Sequence, residues 1–249
     1  MLVAEQVHRA YGARSVLNDV SITINTGVTA LLGVNGAGKT TLLSILAGAL
    51  RPDSGSVRID DEEVFGSSAS RRRALGKVAL MPQSATFPPH MTALEVVEYL
   101  TWMRGASARH ARIVAKDALR RVLLDDRASS KIKTLSGGMV RRVCLAQAIA
   151  SGAEHLCLDE PSTGLDPQQR RAMVGLLAEL EGTVLLSSHV MEDVADLAQN
   201  VLVLDAGAIA FAGGLADLAD LAPDGVDERR AEAGFLSVLT SSVDTTPRQ

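Results

Sequence analysis

The chain has 249 residues, 47% apolar and only 3% aromatic, with a formal net charge of -4. That length suits one large α/β domain carrying a subdomain, and the shortage of aromatics leaves Leu, Val, Ala and Ile to build the core. A mildly acidic balance, with no cationic run longer than Arg71 to Arg73, argues against nucleic acid as a partner, because phosphate backbones are bound through clustered cations.

The N-terminal MLVAEQVHRAYG lacks the cationic and apolar blocks of a signal peptide, and no stretch reaches the roughly 20 apolar residues of a membrane-spanning helix. The chain is therefore expected in the cytosol. Short apolar runs at Val20 to Ile24 and Val28 to Leu32 read as strands. Directly after them, Gly33 to Thr41 read GVNGAGKTT. Glycines at 33, 36 and 38 remove the side chains that would hold backbone amides away from phosphate oxygens, and Lys39 adds a cation. Because the loop follows a strand and opens a helix, it aims a helix N-terminus at an anion. Asn35, Gly36, Gly38, Lys39, Thr40 and Thr41 are thus expected to contact a triphosphate, with the Thr40 hydroxyl offered to Mg2+.

The alternation around Val57 to Ile59, after the turn PDSG at Pro52 to Gly55, predicts an antiparallel patch beside the main sheet. Val78 to Met81 is the next strand. From about 84 to 152 the pattern is helical, starting at Thr92, which forms a capping box with Glu95, and this reads as an inserted subdomain. Leu94, Val97 and Leu100 share one face there, as do Leu119, Val122 and Leu123, and Tyr99 and Trp102 are expected in the same packing. LSGG at Leu135 to Gly138 precedes a basic helix. Cys144 and Cys157 lie in apolar periodic segments without metal-ligand spacing, so both are expected to be buried thiols.

HLCLDEP, from His155 to Pro161, is an apolar strand ending in two carboxylates, which a parallel sheet delivers to the crevice at its carboxyl edge. Asp159 is expected to hold Mg2+, and Glu160 to take a proton from, or orient, the water that attacks the terminal phosphate. Asp166, followed by Pro167, reads as a helix N-cap. Thr183 to Leu186 and Val201 to Leu204 are further uninterrupted strands, so the sheet is expected to be mostly parallel and covered on both faces. Beyond Pro223 the composition supports one helix around Glu228 to Leu239 and a polar tail. The division expected is 1–222 for the main domain and 223–249 for that helix and tail.

The series of motifs resembles the ATP-binding subunit of an ABC transporter over nearly the whole chain to about Ala222. Its order carries the likeness: phosphate loop, LSGG, DEPSTGLD, then an isolated histidine after a strand. The resemblance implies a P-loop ATPase that uses ATP and Mg2+. It implies that Tyr11 stacks on adenine beside Val16, and that Gln83 reaches the metal and reports nucleotide state. It further implies that Ser136, Gly137 and Gly138 bind the terminal phosphate of ATP held by a partner subunit, that Asp166 lies in a loop crossing that interface, and that His189 contacts the terminal phosphate and couples it to Glu160. Met139 departs from the Gln common after the signature, whereas Arg141 and Arg142 keep the basic helix. The form of LSGGM and of MPQ before FPPHMTALEVVEYL is most similar to subunits that power drug, polysaccharide or lantibiotic exporters. The partners implied are a separately encoded membrane permease, docked near Phe87 in the groove after Gln83 on the cytoplasmic face of the membrane, and a second ATPase subunit, identical or related. Two other roles share these motifs: a soluble ATPase of the same type acting on nucleic acid or ribosomes, and a nucleotide-gated signalling partner of a membrane protein.

Overall fold

The computed structural model describes residues 1–223 and 229–243, with side chains to residue 240. Two sheets form its frame. Strands β1 (Leu2–Tyr11), β2 (Arg14–Ile24), β4 (Ser54–Ile59) and β5 (Glu62–Glu63) make an antiparallel sheet in the order β2-β1-β4-β5. The second sheet runs β10-β9-β3-β8-β7-β6, where β3 is Gly27–Leu32, β6 Val78–Met81, β7 His155–Asp159, β8 Thr183–Ser187, β9 Asn200–Asp205 and β10 Ala208–Gly214. Its strands are parallel except β10, which pairs antiparallel with β9 at the edge.

Every residue of β7 and of β8 is buried, as uninterrupted apolar strands covered on two faces should be. Alternate side chains part to opposite sides. Leu31, Cys157 and Leu185 join one core with helix α1 (Lys39–Leu46) and the antiparallel sheet, whereas Ala30, Leu32, Leu156, Leu158, Val184 and Leu186 join a second core. That second core is roofed by α5 (Gly137–Ala150), α6 (Pro167–Ala178) and α7 (Met191–Leu197). The two cysteines are buried as expected, and burial pushes the Cys144 thiol up to about 11 and the Cys157 thiol up to about 12.

The inserted helices are α3 (Ala93–Met103) and α4 (Ala108–Arg121), leading to α5. Thr92 and Glu95 form the capping box: the Thr92 amide donates to Glu95 Oε2 at 2.7 Å, and the Glu95 amide donates to Thr92 Oγ1 at 3.1 Å. Leu94, Val97 and Leu100 pack against the core as expected, but the two aromatic residues do not join them. Ala93, Val96, Val97 and Thr101 are the buried side of α3, and Tyr99 and Trp102 stand 48% and 54% exposed on the other side, their rings 6.0 Å apart. The reason lies in α4, whose inner face is Ala111, Ala115, Ala118 and Leu119, so small residues fill the contact and large rings find no room in it. Leu123 is also exposed rather than packed with Leu119 and Val122, because α4 ends at Arg121 and the chain turns through Leu123 at φ +57. Phe87 is half-buried against the second core instead of projecting from its loop.

After β10 come α8 (Leu215–Asp220) and α9 (Arg230–Val243). The two pack so closely that a Cβ on Gly234 would meet the Leu218 carbonyl oxygen at 1.8 Å. Glu228, where the sequence pattern starts that helix, and residues 244–249 lie outside the described residues.

At the edge of the sheet away from the carboxyl ends of its strands, Asp60 ties three elements together. Its carboxylate accepts from Lys77 Nζ of α2 (Ser68–Lys77) at 2.7 Å and from the Met1 amino group at 2.7 Å, and lies 3.2 Å from His155 Nε2. Burial by itself would raise the Asp60 carboxyl, but Lys77, the amino group and His155 together hold it far below the usual carboxylate range. A depressed carboxylate stabilises the fold above its unfolded pKa, and that contribution is lost as pH falls towards the folded one. Asp60→Asn is therefore expected to lower stability at pH 7 by about 1–2 kcal/mol, with the difference from the parent shrinking below about pH 4. Denaturant melts at pH 7 and pH 3.5 measure it, and an equal loss at both values would contradict it.

Candidate functional site

The parallel strands β3 and β7 end at the same edge, and the loops leaving their carboxyl ends build the site. After Leu32 the chain enters Gly33 to Gly38 and starts α1 at Lys39. Gly38 has φ +109, and a Cβ there would sit 2.8 Å from the Val16 carbonyl oxygen, so only glycine lets the loop lie against β2 and still open the helix. Lys39 is 7% exposed and folds back along the loop, donating from Nζ to the carbonyls of Gly33 at 2.6 Å and Val34 at 3.1 Å. Burial lowers its pKa, while Glu160 and Asp159 nearby favour its charged form.

Around this loop lies a cleft of about 630 Å³, a volume typical of small-molecule sites. Tyr11 and Val16 line it, as do Asn35, Gly36, Gly38, Lys39, Thr40 and Thr41 of the loop and helix start, and Gln83 and Glu160. Tyr11 is 51% exposed, with the Arg9 guanidinium over its ring at 4.9 Å. Arg14 lines the cleft too, with a terminal nitrogen near Gly36, and sequence reasoning missed it. It opens β2 just after a tight turn, and no spacing marks it.

The two carboxylates at the end of β7 have unlike environments. Asp159 is 2% exposed; its Oδ1 accepts from Ser187 Oγ at 2.6 Å, while its Oδ2 is buried and has no protein partner. Glu160 comes next with φ +51, a conformation that costs a non-glycine residue energy and needs to be held. Its amide donates to Ser187 Oγ at 2.9 Å and its Oε2 accepts from Thr163 Oγ1 at 3.0 Å. His189 stands beside it, Nδ1 lying 3.5 Å from Glu160 Oε1. Ser187 thus organises both acids from the end of β8, another role that sequence reasoning missed, although a hydroxyl ending a buried strand beside the histidine was its one visible signal.

Ser136, Gly137, Gly138 and Asp166 do not line this cleft. Ser136 caps α5, its hydroxyl accepting from the Met139 amide at 3.3 Å, and Asp166 caps α6, accepting from the Gln168 and Gln169 amides at 3.0 and 2.9 Å. A Cβ on Gly138 would lie 3.2 Å from the Gly164 carbonyl oxygen, so the signature glycines abut the loop that leads to Asp166. A Cβ on Gly137 would meet nothing within 4 Å.

A glycine loop between a parallel strand and a helix, a lysine where the helix opens, and two acids delivered by another parallel strand of the same sheet define a nucleoside-triphosphatase of the P-loop class. Residues 17–163 match the family model described as ABC transporter. The chain is 33% identical over 222 residues to the linearmycin resistance ATP-binding protein LnrL of Bacillus subtilis, covering 88% of this chain and 70% of that one. It is 37% identical over 205 residues to the Nod factor export ATP-binding protein I of Burkholderia orbicola, covering 81% and 66%. With the daunorubicin resistance ATP-binding protein DrrA3 of Streptomyces coeruleorubidus it shares 32% over 250 residues, covering 98% and 78%. The chain thus spans about two thirds to four fifths of the length of these relatives. Among solved structures its fold matches an ATP-binding subunit of an ABC transporter with a TM-score of 0.83 at 23% identity, covering 96% of this chain and 99% of that one. It also matches a dimeric post-hydrolysis state of the ATP-binding cassette MJ0796 bound to ADP and Pi, at 0.79 and 24%, covering 86% and 98%. The chain belongs to the ABC transporter family, as an ATP-hydrolysing, ATP-binding subunit.

Proposed function

We propose that this ATPase drives solute export through a membrane permease made as a separate chain, by closing against a second cassette, identical or related, around two ATP molecules. One observation carries the reading. The cleft gathers the phosphate loop, Gln83 and Glu160 on one part of the subunit, whereas Ser136 and Gly137 stand exposed outside it, so a complete site needs the signature of another subunit. Export is supported by the names of the relatives, and pairing by the dimeric cassette among the structural neighbours. Among the described residues no helix is long and apolar enough to cross a membrane; in this reading the permease supplies the pathway and holds this subunit on the cytoplasmic face.

In this reading adenine stacks on the Tyr11 ring beside Val16, and the amides from Asn35 to Thr41 with the Lys39 ammonium hold the β and γ phosphates. The residues fit Mg2+: Asp159 Oδ2 is a buried acceptor without a protein partner, and Thr40 and Gln83 border the cleft together with Glu160, the residue after Asp159. Thr40, Gln83 and Asp159 would hold the ion, which when bound neutralises charge on the phosphates. Glu160 takes a proton from the attacking water, and His189 beside it holds the terminal phosphate end. Asp166 keeps the loop at the partner interface in place by capping α6. Losing the bridging phosphate removes the contact that favoured the closed pair, and the pair reopens.

In this reading the permease contact lies on α3, since Phe87 is half-buried against the second core. Tyr99, Trp102 and Met103 share one exposed face, beside a groove where Leu75 and Met103 meet Arg71, Arg72 and Arg104 with no acidic residue among its lining. That chemistry suits an amphipathic cytoplasmic segment of the permease bearing a carboxylate. A tagged subunit is expected to recover its membrane protein from detergent extracts. The double substitution Tyr99→Ala and Trp102→Ala should reduce that recovery about tenfold without changing ATP affinity. Purification of the parent subunit from cells with no membrane protein attached would refute the transport reading.

A further inference from the structure

The acids at the end of β7 are held from a direction that neither the cleft nor the motif order reveals. Arg141, on α5 one turn beyond Gly138, sends its guanidinium inward. Nη1 donates to the Gln83 carbonyl at 2.8 Å, and Nη2 donates to the Asp159 carbonyl at 2.8 Å and also to the Glu160 carbonyl. The next residue faces the other way: Arg142 Nη1 donates to the carbonyls of Val122 at 3.1 Å and Leu123 at 2.8 Å, where α4 ends. Helix α5 therefore grips the inserted helices with one arginine and the ATP site with the other.

Glu160 is a non-glycine residue at φ +51, and its backbone is pinned on both sides, by Ser187 at the amide and by Arg141 at the carbonyl. The same guanidinium binds the backbone of Gln83, so the Gln83 loop and the acidic turn share a single rigid fork. Burial pulls the Arg141 pKa down, while Glu160 and Asp159 favour its charge. A guanidinium stays protonated in such surroundings.

We propose that Arg141 is a positioning residue that locks the signature helix to the Gln83 loop and the Asp159–Glu160 turn of its own subunit. When Ser136 to Gly138 engages ATP held by the partner, the shift of α5 is passed through Arg141 to the carboxylates of the other site. The two composite sites are then coupled within each chain. This rests on the reading of Glu160 as the base and of Ser136 to Gly138 as facing the partner's nucleotide.

The test compares Arg141→Met and Arg141→Lys with Glu160→Gln, alone and combined. Arg141→Met is expected to bind ATP within about threefold of the parent while kcat falls about 100-fold, because misplacing a reacting group costs rate rather than ground-state binding. Arg141→Lys, whose ammonium reaches fewer of the three carbonyls, should recover part of that rate. Added to Glu160→Gln, Arg141→Met should raise the ATP concentration needed for dimerisation about tenfold. A parent-like kcat in Arg141→Met overturns the proposal. If that variant does not fold, a parent-like kcat in Arg141→Lys at an unchanged melting temperature overturns it equally. Normal turnover in Glu160→Gln would instead bring down the underlying reading of the site.

Discussion

Glu160→Gln is expected to bind MgATP at least as well as the parent, to hydrolyse it about a thousandfold more slowly, and to accumulate as an ATP-bound dimer. Glu160 is almost buried, with one carboxylate oxygen near His189 and the other accepting from Thr163, so an amide of the same shape fits the same space. What the amide loses is the capacity to accept a proton from water. It also removes one negative charge from a pair of adjacent acids that would face the terminal phosphate, which favours binding as much as it harms chemistry. Binding without hydrolysis leaves the closed state with no way to reopen. Steady-state phosphate release and size-exclusion chromatography with and without ATP measure the two effects. Turnover at the parent rate would remove Glu160 from its role.

Lys39→Ala should have the opposite signature, with nucleotide affinity falling about 100-fold or more and residual activity lost with it. The ammonium is enclosed by the loop, held on the Gly33 and Val34 carbonyls and facing the field of Glu160 and Asp159. Phosphate oxygens arriving in the loop offer that ammonium a charged partner, and charge-assisted bonds in a desolvated site are the strong ones. Alanine leaves the phosphates with backbone amides alone. Titration calorimetry with ATP decides the matter, and unchanged affinity would contradict the reading of the loop. Together the two variants separate binding from chemistry, since one keeps the ligand without turnover and the other loses the ligand.

The features legible in the sequence are those whose cause lies within a few residues. Gly33 to Thr41 is a continuous stretch whose strand, loop and helix are all local, and the capping box of Thr92 and Glu95 closes over one turn. The uninterrupted strands at His155 and Thr183 announce a sheet covered on both sides, because no other arrangement hides so many apolar side chains in succession. The packing of α3 on α4 escapes a pattern of this kind for a related reason. Alanines carry little signal in a hydrophobic pattern, yet they decide how near two helices come, and so the pattern assigns Tyr99 and Trp102 to a core that has no room for them.

By itself, then, the sequence determined the class of fold, the phosphate loop and the order of the catalytic motifs, since each is written in neighbouring residues. Tertiary structure alone decided that Arg14 borders the cleft, that Ser187 binds both Asp159 and Glu160, that Arg141 reaches three carbonyls on two separate loops, and that the signature glycines stand apart from the site of their own chain. The hydrogen bonds of Ser187 and Arg141 join residues from 18 to 58 positions apart. They exist only once the sheet has set the order of its strands and the cores have fixed how the helices lie upon it, a cooperative outcome of packing that no local pattern records.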